Sequence, residues 1–167
     1  SVACGLLGGA IAKLKKFPDS ERFFVSGLLH DIGRLLIFKS VPEVGAFVLA
    51  STAAKRLPML EMEEDILGFS HAKLGSMLLR KWNFPFSIVM AVLNHHTPEK
   101  VTEDPMAAVA NVADIIAKGL GYGVGTHFYV PELSKESLDK VGIVPDDLDG
   151  LGAGLDESLE DFVAMLS

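Results

Sequence analysis

Apolar residues recur three and four positions apart along most of the chain, the spacing of one buried helix face. Val2, Leu6, Leu7, Ala10, Ile11 and Leu14 predict a first helix that ends near Phe17-Pro18. Asp19 or Ser20 is placed to cap a second helix, which carries Phe23, Phe24, Leu28, Leu29, Ile32, Leu35 and Leu36. It is apolar around most of its circumference, which predicts a central position. Val41-Pro42-Glu43 opens a third helix with Val44, Phe47 and Val48 on its inner face. Pro58 opens a short acidic fourth, with Glu61, Glu63, Glu64 and Asp65, that Gly68 stops. Ser70 caps a fifth, on which Leu74, Met77, Leu78 and Trp82 line up. Asn83 and Pro85 separate it from a sixth that reaches His95-His96 before Thr97-Pro98. Asp104-Pro105 starts a seventh, with Val109, Val112, Ala113, Asp114 and Ile116, which ends near Gly119-Leu120-Gly121. Two short helices follow, near Ser134 to Lys140 and near Glu157 to Leu166.

No strand-like alternation of useful length interrupts this pattern, and the predicted fold is all-α, a compact orthogonal multi-helix bundle. The glycine-rich stretch from Gly121 to Val130 reads as a loop packed on the body. It is not a phosphate loop, because it follows a helix and no Gly-Lys-Ser/Thr comes after it.

With 167 residues the chain predicts one domain, 1–167, large enough to bury a core unaided. No apolar run approaches the roughly 18 residues of a membrane helix, and the start has no basic leader. A start without Met, already in helical pattern, leads to the expectation of a piece of a longer protein lacking its N-terminal helices. One cysteine, Cys4, excludes an internal disulfide and a cysteine-rich zinc site, and fits a cytoplasmic location. A net charge of -7 without a long basic cluster argues against binding duplex nucleic acid. Lys13, Lys15 and Lys16 read as cations complementing a helix C-terminus.

The candidate chemistry centres on His30-Asp31, an imidazole and a carboxylate side by side in an apolar helical stretch. On one helix they stand about 100° apart and both reach an ion placed over the edge between them. His71 sits just after the Ser70 cap, His95 and His96 end another helix, and Asp114 lies among apolar neighbours, where an unpaired charge is costly. Mixed imidazole and carboxylate ligation suits Fe, Mn, Ni, Zn or Co. The six groups suffice for one or two ions able to polarise a phosphate ester. Each residue taken alone fits a plainer role better: a buried ion pair for His30-Asp31, dipole complementation for His95-His96, a salt bridge to Lys or Arg for Asp114. It is the set taken together that points to a metal. His127, between glycines and aromatics, reads as a stacking residue outside the set.

The segments Leu28-Leu29-His30-Asp31-Ile32-Gly33-Arg34, Leu67 to Gly75 (Leu-Gly-Phe-Ser-His-Ala-Lys-Leu-Gly), Lys81-Trp82-Asn83-Phe84-Pro85, Asn94-His95-His96 and Val112-Ala113-Asp114-Ile115 resemble the HDOD family, the HD-related output domain of bacterial signalling proteins. The likeness runs from the first helix through Asp114. It implies descent from the HD superfamily of metal-dependent phosphohydrolases, whose HD-GYP members are cyclic-di-GMP phosphodiesterases. By that likeness His30, Asp31, His71, His95, His96 and Asp114 are the metal ligands. HDOD domains are regarded as regulatory modules without established catalysis. Three departures weigh the same way. The superfamily's first ligand, a histidine expected at the start of the first helix, is absent or cut off before Ser1; Arg34 stands where active relatives have lysine; and no Gly-Tyr-Pro signature occurs, Gly121-Tyr122-Gly123 not being equivalent. The resemblance implies a signal-transduction output module with a signalling partner domain or protein and no membrane span. The alternative is a metal-dependent phosphohydrolase acting on a nucleotide or cyclic dinucleotide, with Asp31 and Arg34 as its catalytic pair.

Overall fold

In the computed structural model, residues 1–100, 104–122 and 130–165 are described. The predicted loop residues 123–129, His127 among them, lie outside that set. The described residues form eleven α-helices and no strand. In order they are α1 (Val2–Leu14), α2 (Ser20–Leu29), α3 (Ile32–Ser40), α4 (Pro42–Lys55), α5 (Met59–Leu67), α6 (His71–Lys81) and α7 (Phe86–Asn94), then a 3-10 turn (Pro98–Lys100). The remainder are α8 (Met106–Gly119), α9 (Lys135–Val141), α10 (Pro145–Gly152) and α11 (Leu155–Met165). Among the described residues no helix is long and apolar enough to cross a membrane.

The start and stop signals act through identifiable atoms. Ser70 Oγ accepts from the Lys73 N–H, satisfying a donor that the first turn of α6 leaves open. Asp104 Oδ1 accepts from the Met106 N–H at 2.9 Å and opens α8. Gly68, at φ +77°, closes α5 in the left-handed region that glycine enters without steric cost. Asp19 precedes α2 but makes no side-chain cap bond.

Two features differ from the periodicity reading in ways that shape the site. The predicted second helix is two: the backbone leaves helical geometry at Asp31 (φ -100°, ψ 12°), between α2 and α3. His30 and Asp31 therefore stand at a corner, not on one helical wheel. Glycines press both sides of that corner against neighbours. A Cβ on Gly27 would meet the Cys4 carbonyl of α1 at 2.6 Å, and one on Gly33 would meet the His71 carbonyl of α6 at 2.0 Å. The central element is α8, not the second helix, for it is buried along nearly its whole length from Met106 to Ala117. Its small residues, Ala107, Ala108, Ala110 and Ala113, let α1, α2, α7 and α9 approach it.

Other expectations change in detail. On α6 the buried face is His71, Ala72, Gly75, Ser76 and Leu79, while Met77 and Trp82 face outward, because close packing on α3 selects small side chains. Phe47 is likewise outward, and Gly45 and Val48 form the inner face of α4. Lys15 serves no helix end alone; its ammonium pairs with Asp147 of α10, an element that the sequence pattern did not predict. The main core joins α1, α2, α7, α8 and the C-terminal helices. A second, separate cluster of Val48, Met59 and Met62, flanked by Phe38, Leu49, Ile66 and Leu67, holds α4 and α5 to α3.

Candidate metal centre

The corner between α2 and α3, the start of α6, the end of α7 and the middle of α8 meet at one place. His30, His71 and His95 are fully buried there, and His96, Asp31 and Asp114 lie beside them. His30 Nε2 is 3.3 Å from Asp31 Oδ2 and 3.3 Å from Asp114 Oδ1. His71 Nε2 is 3.1 Å from Asp31 Oδ1, 3.4 Å from His95 Nε2 and 3.0 Å from His96 Nε2. All six predicted ligands thus converge. Two overlapping sets have donor atoms within 4.8 Å of one another: His71, His95 and His96, and His30, Asp31 and His95. Asp114 belongs to neither set and reaches the centre through His30.

The imidazoles are oriented from behind. Nδ1–H of His30 donates to the Gly27 carbonyl at 2.6 Å, and Nδ1–H of His95 to the Val92 carbonyl at 2.8 Å. Nδ1–H of His71 donates to Glu63 Oε2 at 2.5 Å. With Nδ1 engaged from behind, each ring turns its Nε2 inward. For His71 and His95 a proton on Nδ1 leaves a lone pair there, whereas His30 Nε2 faces the Asp31 and Asp114 carboxylates at 3.3 Å. Lone pairs 3.4 Å apart on His71 and His95 repel unless a cation lies between them. Asp31 Oδ1 and His30 Nε2 are buried without a hydrogen-bond partner, a costly state that an ion relieves. The donor set therefore fits a divalent transition metal.

For His95 and His96 the electrostatics point the same way. Burial, then the neighbouring His30 and His71, pushes His95 down to about 3, so it is neutral at physiological pH. Burial, then His95 and His71, holds His96 well below its usual range. His30 is different: burial would lower it, but Asp31 and Asp114 outweigh burial and raise it well above the ordinary value. A proton on His30 thus supplies positive charge between the two carboxylates. Burial would raise Asp31, yet His30 and Arg34 keep it well below the carboxylate range; burial would raise Asp114, yet His30 and Lys118 lower it.

Two residues of this centre were missed by the sequence reading. Glu63 is fully buried, with Oε2 accepting from both the backbone N–H and the Nδ1–H of His71. Its signal is in the pattern: it is the acidic residue that falls beside Met59, Met62 and Ile66 on the apolar stripe of α5. Lys118 lies one turn after Asp114 and donates to its Oδ2 at 2.5 Å, so the plainer salt-bridge role of Asp114 is realised together with its place at the centre. Arg34 donates to Asp31 Oδ2 at 2.7 Å, and its Nε is 3.6 Å from Glu63 Oε1. Asp31, Arg34, Glu63 and His71 thereby contact one another in a closed ring.

A cleft of about 410 Å³ opens on His30, Asp31 and Asp114, with Phe38, Leu49 and Met59 in its wall. A second, of about 220 Å³, reaches His96. Arg34, Met59 and Lys118 line both.

The HDOD domain model matches residues 1–98, more than half of the chain. The chain belongs to the HDOD family. Asp114 and Lys118 lie beyond the matched segment. This HDOD chain is similar in fold to an HDOD domain protein of unknown function from Geobacter sulfurreducens (24% identity, TM-score 0.77, 98% of this chain and 58% of that one). It is also similar to a candidate signal transduction protein from Marinobacter aquaeolei VT8 (17%, 0.79, 99% and 38%). A candidate phosphohydrolase from Shewanella amazonensis SB2B matches as well (24%, 0.70, 93% and 56%). An uncharacterized protein of Treponema pallidum is 23% identical over 90 residues, 54% of this chain and 18% of that protein. The chain thus spans under two thirds of the length of each of these proteins.

Proposed function

We propose that this HDOD chain is a regulatory module of signal transduction that binds a divalent transition metal without turning over a substrate. One observation carries the reading. The two aspartates at the centre are already paired to cationic side chains, Asp31 to Arg34 at 2.7 Å and Asp114 to Lys118 at 2.5 Å. A phosphohydrolase site holds its cations ready for substrate phosphate and its carboxylates ready for metal. Here the two kinds of group are spent on each other. His71, His95 and His96, with His30 and Asp31, would hold the ion; when bound, it supplies Lewis acidity and fixed positive charge. Residues 1–167 act as one unit in this reading, and the partner is a signalling domain or protein contacting the helical surface.

The test is elemental analysis of protein purified without chelator, followed by assay with bis(p-nitrophenyl) phosphate and nucleotide mono- and diesters. About one ion per chain and no turnover are expected. Metal-dependent hydrolysis abolished by Asp31→Ala overturns the reading. It favours instead a phosphohydrolase acting on a nucleotide or cyclic dinucleotide, in which Asp31 binds metal and Arg34 orients the phosphate. The two clefts that reach the ligands support that second reading.

A further inference from the structure

The α4–α5 pair contributes no residue to the main core and is packed with α3 on its own small cluster of Val48, Met59 and Met62. From this pair a single side chain, Glu63, enters the metal centre with no solvent exposure. Its Oε2 grips His71 twice, at the backbone N–H (2.7 Å) and at Nδ1–H (2.5 Å). Its Oε1 makes no hydrogen bond and faces Arg34 Nε, also without one, at 3.6 Å. Of the three imidazoles held from behind, His30 and His95 are anchored by carbonyls three residues back in their own chain segment. Only for His71 among these is the anchor a charged group delivered by another helix.

We propose that Glu63 is the positioning residue of the metal centre and couples its occupancy to the docking of α5. This rests on the metal-binding reading above. Glu63 fixes the Nδ1–H form of His71 and so presents the Nε2 lone pair to the site. Ligation at Nε2 makes Nδ1–H a stronger donor, and Glu63 is then held more firmly. Because linkage is reciprocal, whatever factor Glu63 adds to metal affinity, metal adds to the docking of α5. Apart from the small separate cluster of Val48, Met59 and Met62, little buried apolar packing holds α4–α5 in place. The signal would leave the site as a change in the stability of α5, whose outer face carries the exposed Glu61, Glu64 and Asp65.

A purely structural role competes with this: Glu63 as an N-terminal cap of α6 through the His71 N–H. The experiment separates the two. Wild-type chain and Glu63→Gln, whose amide oxygen preserves the cap, are titrated with Co²⁺ by visible absorption. Hydrogen exchange of peptides covering α5 and α8 is then followed with and without saturating Co²⁺. The proposal expects affinity to fall about 10- to 100-fold in the variant. It expects Co²⁺ to slow exchange in α5 of the wild type and to leave α5 of the variant at its metal-free rate. Co²⁺ bound by the wild type with α5 exchange unchanged, or equal affinity in the variant, overturns it. Absence of any Co²⁺ spectrum in the wild type overturns the metal reading itself and is a distinct result. Independently of any variant, ¹⁵N spectra of the metal-free wild type report the His71 tautomer: Nδ1–H is expected, and Nε2–H overturns the assignment.

Discussion

Lys118 places its ammonium 2.5 Å from Asp114 Oδ2, while Asp114 Oδ1 faces His30 Nε2 at 3.3 Å. One carboxylate thus sits between a permanent cation and an imidazole that burial would discharge but its acidic neighbours keep protonated. Positive charge on both sides of Asp114 does locally what an ion would do. Replacing Lys118 by Met removes one of the two. The metal-free protein should lose about 2 kcal/mol, since a mostly buried carboxylate is left short of a partner. Divalent metal should bind roughly tenfold more tightly or better, as a unit charge near 4 Å carries about 4 kcal/mol at an effective dielectric of 20. Denaturation with and without Zn²⁺, together with a competition titration, checks both signs.

The histidines set a stability optimum for the metal-free protein. His95 and His96 remain neutral in the native state because burial and neighbouring imidazoles depress them, whereas the unfolded chain takes up protons near pH 6.5. Their depressed values make stability fall as pH drops below about 6.5, by up to about 2.7 kcal/mol per unit while both differ between states. His30 has the opposite sign: its value is raised, so its contribution is present below about 6.5 and lost as pH rises through the folded value. A maximum near neutral to slightly acidic pH is expected. Urea midpoints measured with chelator from about pH 4.5 to 8.5 test this, and a profile rising monotonically across that range would contradict it.

Gly33 and Gly68 offer a matched pair of alanine substitutions. A Cβ at Gly33 would lie 2.0 Å from the His71 carbonyl, so α3 and α6 must separate. The cost should exceed about 3 kcal/mol, and metal affinity should fall because His71 moves away from the corner. Gly68 has open space but φ +77°. Gly68→Ala should cost only about 1 kcal/mol, with metal binding intact. Thermal melts and metal titrations of both variants distinguish close packing from backbone strain.

Metal itself should stabilise the fold. With free Zn²⁺ at about 100 times its dissociation constant, the gain is about 2.7 kcal/mol, or roughly 5–10 °C in melting temperature for a chain of this size. Chelator should reverse the shift, and Asp31→Asn should abolish it, because Asp31 Oδ1 and Oδ2 face His71 and His30 respectively. Calorimetry with and without EDTA measures the effect.

Most of the helices, the Ser70 and Asp104 caps and six candidate ligands were legible in the chain, because periodicity, capping residues and the His-Asp and His-His doublets are local signals. Which face of α6 turns inward was not. Leu74, Met77, Leu78 and Trp82 form the more apolar row, yet the row with glycine, alanine and serine is buried, since contact distance to α3 outweighs hydrophobicity there. The break at Asp31 was equally hidden, for it arises where Gly27 and Gly33 are pressed against α1 and α6 at once.

By itself the sequence determined an all-helical chain of the HDOD type with imidazoles and carboxylates spaced to meet. Only the tertiary structure decided that Glu63 and Lys118 belong with them, and that Asp31 stands at the corner between α2 and α3 where α6, α7 and α8 also meet. Helix-forming preference acts over a few residues and can be read in order along the chain. The pairing of a buried charge depends on what distant segments deliver to the same few ångströms, and that is settled by packing.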